Sequence, residues 1–212
     1  DLVAAFTARA RRLVTQETLA PYIADGAPDE KVARMLFVED NIIGAENKRS
    51  LAAFLLPLVT AASFGNHFQD AKLPLLTRLQ KLAQLQARVL RSGFVDVTRT
   101  EIADKLDALA VQVAVRARLF ESIEARTANP VEKAQTLLKL AAGGIFTEGR
   151  LGDAARARIL ACLSQPGFLS GYRNAAKKDG QTPDAEQAMA DLLAQLDKAG
   201  IPAETGLKSI AA

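Results

Sequence analysis

The stretch from Leu51 to Gln69, LAAFLLPLVTAASFGNHFQ, runs for nineteen residues without an Asp, Glu, Lys or Arg. Charged residues make up 24% of the chain, so this gap marks either a helix buried on most sides or a membrane segment. A spanning helix needs about 20 predominantly apolar residues. Here Pro57, Gly65, Asn66, His67 and Gln69 interrupt the run, and Asn66 and His67 are expensive in hydrocarbon. A core helix is the better reading. Leu51, Phe54, Leu55, Leu58, Val59 and Ala62 cover most of its circumference. We expect it to run from near Glu46 to about Phe64, kinked at Pro57, with Gly65 and Asn66 ending it.

The remaining sequence reads as helix throughout. Ala and Leu dominate the apolar residues, aromatics are 5% and Trp is absent, while strand-favouring patterns are missing. Punctuation divides the chain into about eight or nine helices. The first spans Leu2 to Tyr22, with Val3, Phe6, Leu13 and Leu19 inward, and Asp25-Gly26 stops it. Pro28 opens a second, with Asp29 and Glu30 suited to the positive end of its dipole. A fourth begins at Pro74 and ends at Gly93. The fifth is expected to be the longest, from the capping box Thr98–Glu101 to near Thr127. Ile102, Leu106, Leu109, Val113, Ala117 and Phe120 form its stripe. Asn129-Pro130 starts a sixth, which Gly143-Gly144 ends. Shorter helices follow over Asp153 to Leu163, Phe168 to Ala176, and Pro183 to Gly200. Lys177 to Gln181 reads as a loop, and Ile201 to Ala212 as a loosely attached tail.

The fold class is therefore all-α: a long-helix bundle over 1–128, with a smaller short-helix subdomain over 129–212 packed on it in one continuous unit. A chain of 212 residues buries roughly 70% of its unfolded surface and needs no disulfide or metal to fold.

Several chemistries lack their residues. His67 is the only histidine and Cys162 the only cysteine, far apart in sequence, with no HxxxH, CxxC or HExxH spacing. Metal ligation is not expected. Gly143 to Gly149 is glycine-rich but lacks a GK[ST] ending and follows a helix, so no cofactor loop is read there. His67 in a Gly-Asn-His-Phe turn reads as a loop residue, and Cys162 in an apolar helix as a small hydrophobe, with Arg158 one turn earlier. The net charge of +3 is small. Arg9, Arg11 and Arg12 cluster, as do Arg150, Arg156 and Arg158. Asp153 to Ala176 has the outline of a helix-turn-helix, but its second helix, near Arg173, Asn174 and Lys177, offers few contacts for DNA. Nucleic acid is a less favoured partner, and so is a membrane.

The expectation is a non-enzymatic helical regulatory or scaffold module without cofactor, acting on another protein or on itself as a homodimer. Its interaction face lies on the fifth helix or on an aromatic patch of Phe168, Leu169 and Tyr172. The alternative is a bundle that binds a small apolar ligand or lipid beside Pro57, in a pocket of Phe54, Phe64, His67 and Phe68. The composition and the lone cysteine point to a bacterial, cytoplasmic protein, though a mature exported protein would read the same way.

Overall fold

The computed structural model describes residues 16–42, 44–146, 149–176 and 183–211. The N-terminal apolar positions Val3, Phe6 and Leu13, the cluster Arg9–Arg12, and Lys177 lie outside them. Among the described residues there are twelve helices and no strand. They are α1 (Gln16–Ala24), α2 (Pro28–Asn41), α3 (Ala45–Thr60), α4 (Ala62–Gln69), α5 (Leu75–Arg91) and α6 (Asp96–Arg116). After these come α7 (Leu119–Arg126), α8 (Pro130–Ala142), α9 (Gly149–Leu163), α10 (Phe168–Ala175), α11 (Ala185–Lys198) and α12 (Ala203–Ala211). The fold is all-α, with more helices than punctuation alone indicates.

Three local events account for much of the difference. The apolar helix breaks at Ala61, whose backbone is extended, into α3 and α4. The Thr60 hydroxyl donates to the Leu56 carbonyl at 2.9 Å, a back-bond that loosens the last turn after Pro57. The chain then bends by 52° and resumes as helix through Gly65 and Asn66, so His67 sits on a helix and not in a turn. No single described helix is long and apolar enough to cross a membrane.

The long fifth helix also divides. It ends at Arg116, because Arg118 adopts a left-handed conformation at φ 50° that no regular helix continues. Leu119 and Ile123 on α7 then become buried. Finally, the segment read as a tail is α12. Gly200, at φ +71°, lets the Ile201 and Gly200 N–H groups close α11 onto Leu196 and Asp197. Ile201 is then buried, and Gly206 carries α12 close to Leu196.

The chain divides between Val113 and Ala114 into two compact units. In the first, α2 is central and packs on α1, α3, α4 and α5. Val32, Met35 and Leu36 are almost fully buried, as are Leu51, Leu55, Phe64, Phe68, Leu79 and Leu82. In the second, α8 packs on α7, α9, α10 and α11, while α12 rests on α9 and α11. Val131, Ala134, Leu137 and Leu138 of α8 are buried, as are Ile159 of α9, Phe168 of α10 and Leu192 of α11. The start of α8 follows its sequence: Asn129 Oδ1 accepts from the Val131 N–H at 2.9 Å.

Candidate functional site

In the second unit, α7, α8 and the end of α9 enclose a half-open cleft of about 370 Å³. Ile123 and Leu137, both buried, form its floor, and Phe120, Pro130, Ala161 and Cys162 supply apolar wall. Lys133, Arg158 and Glu124 bring charge to the same space.

Arg158 is the most constrained of the charged groups. Its guanidinium lies over the Phe120 ring, 4.2 Å from the centroid, and Phe120 in turn stacks on buried Phe146 at 5.7 Å. Its Nε donates to Glu124 Oε1 at 3.1 Å, and one terminal nitrogen donates to the Ala154 carbonyl at 3.2 Å. The Lys133 ammonium has no ion-pair partner among the described residues. Cys162 is a half-buried free thiol. Burial pushes its pKa up; Lys133 pulls it down and Glu124 pushes it up again, leaving a raised value. The neighbouring charges that act on it are thus those of Lys133 and Glu124, and not that of Arg158, which sequence proximity had singled out.

The first unit holds a tighter polar cluster. Asp29 is 5% exposed at the start of α2. Lys81 Nζ of α5 stands 2.6 Å from its Oδ2, and His67 Nε2 of α4 stands 2.8 Å from its Oδ1. Asp29 Oδ1 and His67 Nε2 are buried against each other without a hydrogen bond of good geometry, so this second contact is a close polar approach and Lys81 supplies the made bond. Burial alone would push the Asp29 carboxyl up. The hydrogen bond and charge of Lys81, helped by His67 and a backbone N–H, outweigh it and hold the pKa below the usual carboxylate range. This carboxylate ties three helices together. Beside it a shallower hollow of about 220 Å³ is lined by Asp29, Glu30, Ala33, Lys81 and Arg88.

The expected pocket near Pro57 has a different character. Phe64 and Phe68 are buried core residues with ring centroids 5.1 Å apart, and the His67 ring meets Phe68 edge-on at 5.2 Å. Phe54 is half-buried and Pro57 is exposed. None of the four lines either of these two cavities.

The expected aromatic patch is likewise mostly interior. Phe168 and Tyr172 are 2% and 3% exposed and stack at 6.1 Å; only Leu169 is half-buried. Tyr172 accepts a hydrogen bond from Gln195 at 2.8 Å, which locks α10 to α11. Among the basic residues, Arg156 is paired with Asp153, and Arg173 donates to the Pro183 carbonyl. Sequence reasoning missed Phe120, Glu124, Lys133 and Asp29 as members of any site. Their partners are many residues away, and only packing brings them together. The chain matches no protein-family profile, no curated protein and no solved structure.

Proposed function

We propose that this chain is a non-enzymatic helical binding module whose second unit lodges a small, largely apolar ligand in the cleft between α7, α8 and α9. The observation that supports this is the cleft itself. Its roughly 370 Å³ falls within the range of small-molecule pockets, about 300–1,000 Å³. It combines an apolar floor with a few convergent polar groups, as ligand sites do. The ligand site thus moves from the surroundings of Pro57 to the opposite half of the sequence. A cytoplasmic setting accords with a chain whose one cysteine is a free thiol.

The test is to fill the cleft. In Ala161→Trp the indole occupies its mouth. The unaltered protein should enhance the fluorescence of an apolar naphthalene dye and the variant should not, with both melting at similar temperatures. Equal enhancement in both would place the dye elsewhere and remove the reading.

A second reading, a regulatory or scaffold module that binds another protein or a second copy, is favoured by one observation. Phe37, Val97 and Val115 are 64%, 76% and 68% exposed, apolar surface on three helices that a partner would cover. Light scattering at low and high concentration tests the homodimer: a mass that stays monomeric at both removes it.

A further inference from the structure

We infer that the ligand of this cleft is a small amphipathic monocarboxylate, with its acid group held between Lys133 and Arg158 and its apolar body laid against Phe120, Pro130 and Ala161. The inference rests on the cleft being a ligand site.

The charge balance of the cleft carries it. Lys133 and Arg158 contribute two positive charges and Glu124 one negative, and Cys162 is held as a neutral thiol. One positive charge is left uncompensated, which suits one acid group. The donors are also available. Arg158 spends Nε on Glu124 and one terminal nitrogen on Ala154, while its other terminal nitrogen has no partner among the described residues. A guanidinium presents five N–H donors in a fixed fork suited to a carboxylate. Stacking on Phe120 holds that fork in plane. The Lys133 ammonium, with three donors, has no ion-pair partner among the described residues. A fully apolar ligand would leave these groups unused and would pay to desolvate them. Glu124 already shows what the site accepts, since its carboxylate lies against Arg158 at 3.1 Å. That pair is largely exposed, with side chains 41% and 52% accessible, so exchanging Glu124 for a ligand carboxylate costs little.

The experiment uses a matched pair, 2-naphthoate and 2-naphthylmethanol, which differ in the acid group and share the apolar body. Binding is followed at pH 7.5 by calorimetry. It is followed independently by protection of Cys162, the only thiol, from iodoacetamide. The acid should bind about tenfold more tightly than the alcohol, equivalent to ~1.4 kcal/mol. Both should slow alkylation. Lys133→Met should erase most of the preference for acid over alcohol, and Glu124→Gln should tighten the acid several-fold. The preference should shrink as salt is raised. Equal affinities for acid and alcohol, with Cys162 protected, would overturn the carboxylate inference and leave the ligand-site reading standing. No binding and no protection by either compound would overturn both. A preference that survives in Lys133→Met combined with Arg158→Gln would overturn the assignment of the two cations.

Discussion

Asp29→Asn should destabilise the first unit by about 1–2 kcal/mol at pH 7. The side chain is 7% exposed, accepts a hydrogen bond from Lys81 at 2.6 Å and stands 2.8 Å from His67 Nε2 on a second helix, a close polar contact without hydrogen-bond geometry. A hydrogen bond to a charged group contributes about 1.5–3 kcal/mol, against about 1 for a neutral one. Asn can keep the Lys81 bond through its carbonyl oxygen, at neutral strength. Its amide loses the attraction of the carboxylate for the groups around it. Removing a negative charge from the first turn of α2 costs a further ~0.5 kcal/mol through the helix dipole. Lys81 is 38% exposed and recovers part of its solvation, which keeps the total near the lower end of the simple sum. Urea unfolding followed by circular dichroism is the assay. With a slope of about 1–3 kcal/mol per M, the midpoint should fall by about 0.5–1 M.

The effect has a defined pH dependence. The Asp29 pKa is depressed in the folded state, so its stabilisation is present above the unfolded carboxylate value, ~3.9, and is lost as pH falls through the folded value. The two proteins should therefore converge as pH is lowered towards 3. In Lys81→Met the largest lowering influence is gone, and the acid transition should move to higher pH. A difference below about 0.5 kcal/mol at pH 7, the usual size of an inconsequential surface change, would refute the reasoning. So would a difference that stays constant from pH 7 to pH 3.

Three further outcomes are expected. Arg118→Gly should stabilise by about 0.5–1 kcal/mol, seen as a higher melting temperature. Glycine relieves the left-handed backbone, and the ion pair lost with Glu121 is highly exposed. Gly206→Ala should destabilise by about 1–3 kcal/mol in a denaturant titration, because its Cβ would stand 2.7 Å from Cδ1 of Leu196, which is fully buried and has nowhere to move. Cys162 should react with iodoacetamide more slowly than free cysteine at pH 7–8 and speed up steeply above pH 9; Lys133→Met should slow it further and Glu124→Gln should quicken it. Reaction at the free-cysteine rate at pH 7 would contradict the burial that raises its pKa.

The sequence by itself determined that the chain is helical; the apolar run from Leu51 to Gln69 was expected to be buried on most sides, but it buries one face only, since Ala53, Pro57, Thr60, Ala62, Ser63 and Asn66 are exposed. The sequence also determined several helix ends: Pro28, Asn129-Pro130 and Gly143-Gly144 act through neighbouring backbone groups, so local chemistry suffices to read them. Leu51, Leu55 and Val59 were legible as interior positions for the same reason, since apolar spacing along one helix records one buried face, whereas Phe64 and Phe68, read as pocket lining, are core. Other features required the third dimension. The breaks at Ala61 and Arg118 have no glycine to announce them, and the stripe from Ile102 to Phe120 runs through the second break unchanged. The segment after Gly200 looks like a tail until Gly206 finds Leu196. Phe168 and Tyr172 are equally apolar as a surface patch or as core, and only the packing of α10 against α8 and α11 decides between them. The cleft was the least legible feature. Phe120, Lys133 and Arg158 are unremarkable on their separate helices, and their charge and shape acquire meaning only where tertiary packing sets them around one space.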